Sequence, residues 1–179
     1  MIKLNPERPA PAVIVEKVLS ITVTYLGFDG ATHKGVIEIQ TDLALDVQGF
    51  FELAFQTQFP IERVVRSSDP EFGWDDDKLI TANTTSGFNY RLIKGTDRPS
   101  LHGLGRAIDV NTRLNPYIRH ADGDVEVDPP GASWNPEIPG TLTADHPLVR
   151  FMKDRGWEWG GDWTPESGRT DYQHFEKKE

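Results

Sequence analysis

Apolar and polar positions alternate along two early stretches, SITVTYLGFDG (20–30) and KGVIEIQ (34–40), and the turn residues DGATHKG join them. A period of two marks a strand buried on one face, so two such runs around a glycine-bearing turn predict a β-hairpin. From Asp42 the period changes: Leu43, Val47, Phe50, Phe51, Ala54 and Phe55 recur at helical spacing. Pro60, which cannot continue a helix, is expected to close it. IERVVR (61–66) reads as a short strand, which sets the helix between strands.

The polar stretch 67–87 holds three successive acids, Asp75, Asp76 and Asp77, and reads as a solvated surface loop. FNYRLI (88–93) and GRAIDVN (105–111) are further strand candidates, linked through KGTDRPSLHGL. Residues 115–143 form a proline- and glycine-rich excursion without a period, and loops of that length tend to be functional or to wrap a site. Asp145 and Pro147 open a short helix through Phe151 and Met152, and Gly156 ends it. The chain finishes with GWEWGGDW and DYQHFE. Together these elements predict an α+β fold, a small and mainly antiparallel sheet flanked by helices. Residues 1–12 read as an extended tail and 13–179 as a single domain.

Composition narrows the chemistry. A length of 179 residues suits one domain with a real core. The formal net charge of −9 argues against nucleic acid or an anionic membrane as partner. No apolar run reaches membrane length, and the start, MIKLNPERPAPAVIVEKV, lacks the apolar core and small-residue cleavage site of a secretory signal. Cysteine is absent, so a metal site would have to use His, Asp and Glu.

Three features carry chemistry. In SLHGLGRAIDVN, Asp109 interrupts the apolar run Ala107, Ile108, Val110, and His102 lies just ahead of it in a glycine-broken turn. Burying an unpaired carboxylate costs several kcal/mol, roughly, so Asp109 needs a cation or donors. On a strand, Asp109 shares a face with Ala107 while Ile108 and Val110 fill the core. Catalytic zinc takes three protein ligands and keeps a fourth position open, and His102, Asp109 and His174 would supply that set. The third feature is the Asp171-Tyr172-Gln173-His174 spacing. In one regular strand Asp171 and His174 would face opposite sides, so Asp171 is expected in the turn entering the strand, placed to act as general base. An ion pair of Asp109 with Arg91 or Arg106, without metal, is the competing reading.

SLHGLGRAID resembles the SxHxxGxAxD signature of the zinc D-Ala-D-Ala carboxypeptidase and L-alanyl-D-glutamate endopeptidase family. WGGDW followed by DYQHFE resembles the second half of that signature, and TSGFNYR precedes the first half as in the endopeptidase-like branch. The resemblance spans Thr85 to Glu176, about half the chain. It implies the fold shared with the Hedgehog signalling domain, with His102, Asp109 and His174 as Zn2+ ligands. It implies Asp171 as catalytic acid/base and Arg91 as the arginine that steadies the scissile carbonyl as it becomes an oxyanion. Ser100 is expected to shape the turn or support a ligand. One of Trp157, Trp159 and Trp163 is expected to line the cleft, and Asp162 to support a ligand or close a turn. His146, before Pro147, is expected to be structural. The implied substrate is a peptidoglycan stem peptide, with action at the bacterial cell wall. An L-Ala-D-Glu endopeptidase fits best, with a D-Ala-D-Ala carboxypeptidase or a non-catalytic zinc-binding module as alternatives.

Overall fold

The computed structural model describes residues 2–93, 95–121, 124–163 and 165–178. Met1 of the expected tail, Lys94 in the loop before His102 and Glu179 at the end of the expected domain lie outside the described residues. The hairpin forms as its alternation demands: β1 (Val18–Leu26) pairs antiparallel with β2 (Thr32–Gln40), with Val18 opposite Gln40 and Leu26 opposite Thr32. Ile21, Val23, Tyr25, Ile37 and Ile39 point inward, where Val47, Phe50, Phe51 and Ala54 meet them from one face of a helix. Ahead of the hairpin a one-turn helix, α1 (Ala12–Val15), ends the irregular tail. Ala10, Ile2 and Ile14 pack around Val18 and Phe88, so the tail docks on the body.

The long helix α2 spans Ala44–Gln56. It closes before Pro60 is reached. Gln58 turns left-handed at φ 56°, Phe59 N–H returns to the Ala54 carbonyl at 2.8 Å, and Gln58 N–H to that of Phe55 at 3.2 Å. That pattern of two returning bonds is the Schellman stop, here without its usual glycine. Phe55 falls outside the buried stripe and is 41% exposed.

Past β3 (Arg63–Val64), the expected polar loop contains a helix, α3 (Asp76–Thr81). Asp75 caps it by accepting from Lys78 N–H at 3.2 Å, while Asp76 and Asp77 occupy the first turn, where exposed N–H groups favour negative charge. The acidic cluster is thus a helix start. β4 (Thr84–Thr85) runs parallel to β3. FNYRLI is not a strand: its N–H groups are shared out singly, Phe88 to the Glu38 carbonyl at 2.8 Å and Asn89 to that of His102 at 3.2 Å.

β5 (Ala107–Asp109) follows, and the expected structureless excursion then holds a hairpin, β6 (Tyr117–Ala121) with β7 (Asp124–Asp128). Charged residues on these strands hid the alternation. Buried Asn115 ties the excursion down, donating to the Val110 and Gly140 carbonyls at 3.1 and 3.0 Å and accepting from Leu142 N–H at 2.7 Å. α4 (Pro147–Lys153) is capped by His146, whose Nδ1 accepts from Leu148 N–H at 3.2 Å, whereas Asp145 takes the Thr143 hydroxyl. β8 (Glu158–Trp159), β9 (Arg169–Asp171) and β10 (His174–Glu176) complete the chain.

The fold is mixed α/β with few helices, but the expected single sheet is divided among the described residues into four small ones. Two matter most: β5-β10-β8 and β7-β6-β9. All their pairings are antiparallel. Among the described residues, no helix is long and apolar enough to cross a membrane.

Phe175 anchors the central strand β10. It is fully buried and meets Phe50 of α2 edge-on at 5.8 Å, and Phe50 meets Phe51 at 5.5 Å. Phe50→Ala is expected to lower stability by about 3–5 kcal/mol through lost burial and the cavity it leaves, read from urea unfolding midpoints.

Candidate metal centre

Register brings the three expected ligands together. In the β5–β10 pair His174 stands directly opposite Asp109, and His102 reaches the same point from the preceding turn. Gly105, left-handed at φ 69°, turns that segment back into β5. One donor atom each from His102, Asp109 and His174 lies within 4.8 Å of the others. His102 Nε2 is 3.2 Å from Asp109 Oδ2, His174 Nδ1 is 3.0 Å from Asp109 Oδ1, and the two ring nitrogens are 3.2 Å apart.

The ring protons decide what this cluster is for. His102 Nδ1 sits 2.8 Å from the Gly87 carbonyl, which can only accept, so that nitrogen donates. His174 Nε2 likewise donates to Glu176 Oε2 at 3.0 Å. A neutral imidazole carries one N–H, so His102 Nε2 and His174 Nδ1 both present lone pairs toward the Asp109 carboxylate. Lone pairs and carboxylate oxygens at such distances repel unless an extra proton or a cation joins them. Without metal the proton takes that role. Burial disfavours charge on His174, but hydrogen bonds to Asp109 and Glu176 outweigh it and push its pKa to about 10. Burial alone would raise Asp109, yet the two histidines hold its carboxyl well below the usual range. Two nitrogens and one carboxylate, converging with their outer contacts satisfied, fit a zinc ion with an open position.

Neither arginine considered as a metal-free partner reaches Asp109. Arg106 is buried and spent on Gln40 Oε1 at 2.8 Å, Asp42 at 3.1 Å and the Lys177 carbonyl at 2.8 Å. Arg91 pairs with Asp76 and lies along the cleft. That cleft, of about 640 Å³, also contains Ser100, Tyr117, Trp163 and Asp171. Ser100 shapes the turn: its Oγ accepts from Gly103 N–H at 3.0 Å.

Asp171 stands elsewhere than expected. It is the last residue of β9, in a separate sheet, and Tyr172 and Gln173 form the turn into β10. That break resets the alternation, so Asp171 and His174 line one cleft despite their odd spacing. Tyr172 stacks on Trp134 at 4.5 Å and 10°, and this contact from the excursion braces the turn. Asp171 is half-buried, and its Oδ1, itself shielded from solvent, has no hydrogen-bond partner among the described residues. Burial pushes its pKa up to about 6, with the charge of Asp109 adding and that of His174 opposing.

Of the tryptophans, Trp163 lines the cleft, 5.6 Å from the His174 ring. Trp157 and Trp159 belong to the core, with their N–H groups on Asp46 and the Tyr172 carbonyl, each at 2.9 Å. Asp162 pairs with Lys153 rather than supporting a ligand. His33, outside the motifs, pairs with Asp29 at 3.0 Å.

Two supporting groups escaped sequence reasoning. Glu176 had a signal, since residues two apart on a strand share a face and DYQHFE puts it there with His174. The Gly87 carbonyl had none, because a backbone acceptor carries no residue code. A Cβ on Gly87 would come within 2.3 Å of the Glu38 carbonyl oxygen, so this close approach requires glycine.

A family model described as D-alanyl-D-alanine carboxypeptidase matches residues 94–177, a span that contains His102, Asp109, Asp171 and His174 and stops short of Arg91. Neither the curated proteins nor the solved structures contain a significant match.

His174→Ala is expected to abolish stoichiometric zinc binding, and Glu176→Ala to weaken it about 10- to 100-fold by freeing the ring. Competition against a chromogenic chelator measures both; full zinc occupancy in His174→Ala would break the ligand assignment.

Proposed function

We propose that this chain, a member of the zinc D-Ala-D-Ala carboxypeptidase family through residues 94–177, hydrolyses a peptide bond in bacterial cell-wall stem peptides, most specifically L-Ala-D-Glu. The observation that carries hydrolysis is a half-buried carboxylate, Asp171, whose shielded Oδ1 has no partner among the described residues, beside three converging metal donors in one cleft. The endopeptidase assignment rests on the DxxH ending and on TSGFNYR, both features of that branch. We also read the fold as the one these peptidases share with the Hedgehog domain, supported by His174 and Asp109 facing each other across antiparallel strands.

His102, Asp109 and His174 would hold the zinc. When bound, the ion supplies Lewis acidity to the scissile carbonyl and makes a nearby water easier to deprotonate. The chain's own residues do the rest. Asp171 accepts the proton of the attacking water at Oδ1 and later delivers it to the departing amine. Arg91, drawn from Asp76 or shared with it, faces the carbonyl oxygen as negative charge develops. Tyr117 and Trp163 wall the cleft and limit water around the reacting bond.

Asp171→Asn is expected to retain zinc and lose at least about a hundredfold in kcat, since an amide cannot accept the proton. Near-normal turnover would mean the base lies elsewhere. Asp171 accepts a proton only when ionised, so kcat/KM falls as pH drops through its pKa. The acid limb is expected at about 6 or below, because a divalent cation at the ligand set replaces the single charge of protonated His174 with a larger one.

Digestion of purified peptidoglycan by the zinc-loaded protein, with products identified by mass spectrometry, tests the reaction. New amino-terminal D-Glu is expected. Released D-Ala would replace the endopeptidase by the carboxypeptidase that the matching family description names. No product with zinc bound would overturn hydrolysis of this substrate and favour a binding module of the same fold.

A further inference from the structure

The chain is acidic, with a net charge of −9, yet its cleft gathers cations. Among the described residues four line it: Arg91, Arg98, Arg169 and Lys178. Two of them are committed, Arg91 to Asp76 and Lys178 to Glu158 and Glu176. Arg98 and Arg169 have no acidic partner among the described residues. Arg169 is nevertheless placed. Its guanidinium carbon lies 4.7 Å from the Trp163 ring centre, and that ring packs against His174. A guanidinium resting on an indole has its plane oriented and its edge donors directed outward.

Strand geometry gives its distance from the chemistry. Arg169 and Asp171 are two apart on β9, with buried Thr170 between them facing the opposite way. Their side chains therefore leave the same face about 6–7 Å apart, the spacing of adjacent outward positions on a strand. A peptide bond served by Asp171 has its neighbouring residue within reach of Arg169.

We propose that Arg169, held on Trp163, receives a free carboxylate on the substrate residue next to the scissile bond, so that this position distinguishes free-acid from amidated stem peptides. The inference rests on the peptidase reading above. A carboxylate accepts two parallel N–H bonds from a guanidinium, whereas a carboxamide offers one acceptor and no charge.

The test uses two synthetic stem peptides, identical except for a carboxylate or a carboxamide on the residue after the scissile bond. The zinc-loaded protein is expected to cleave the free acid with about tenfold higher kcat/KM. Arg169→Gln is expected to bring the ratio near one, while Arg98→Gln, which removes equal charge from the same cleft, lowers both rates without changing the ratio. Wild-type protein that does not discriminate, or an unchanged ratio in Arg169→Gln, overturns the inference. Calorimetric binding of both peptides to zinc-loaded Asp171→Asn separates the two readings. Tighter, Arg169-dependent binding of the free acid without cleavage by wild type would sustain the carboxylate site and remove the hydrolysis. Equal cleavage and equal binding of both peptides would do the reverse.

Discussion

Everything at this site depends on where two imidazole protons are held. The Gly87 carbonyl fixes one on His102 Nδ1 and the Glu176 carboxylate fixes the other on His174 Nε2. Both inner nitrogens are thereby left as acceptors pointed at a largely enclosed carboxylate, an arrangement that calls for a positive charge at its centre. The outer contacts are thus the reason Asp109 can stand largely enclosed in an apolar run. They also explain why neither nearby arginine is needed there, since Arg106 and Arg91 are engaged elsewhere.

That arrangement in turn depends on strand register. His174 faces Asp109 because β10 lies antiparallel to β5, and β10 is held by Phe175, which joins the core of hairpin and helix. A slip of one residue would turn His174 into the core and Phe175 into the cleft. The hydrophobic pattern of β10 therefore aims the ligand, and the main core supports the centre as well as the fold.

The carboxylate proposed to accept the proton is built separately. Asp171 ends a strand of the second sheet, and a two-residue turn braced by Trp134 delivers the chain to His174. The strands that carry Asp109 and His174 and the strand that carries Asp171, the proposed proton acceptor, thus belong to different sheets that meet at one cleft. Charge is divided in the same way. The chain is acidic overall, yet Arg91, Arg98, Arg169 and Lys178 line the cleft, which suits the anionic peptide proposed as substrate.

Much of this was legible in the residue order. The first hairpin, the face of α2 and the short strand bearing Asp109 follow from local periodicity, because alternation and helical spacing record which side of an element meets the core. His102, Asp109, Asp171 and His174 stood out because ionisable groups among glycines and apolar runs need a physical reason. The helix at Asp76, the hairpin inside residues 115–143 and the stop at Gln58 were not legible, since charge masked the periods and a left-handed glutamine carries no signal. FNYRLI had a strand's composition, but its backbone is divided between two neighbours. The sequence by itself determined which side chains were available to bind a cation and move a proton, because residue type sets that chemistry. Only the tertiary structure decided that Asp171 ends a separate strand, that Glu176 and a glycine carbonyl orient the rings, and that Arg169 rests on Trp163. Those are contacts between segments distant in the chain, and their geometry comes from packing rather than from any local pattern.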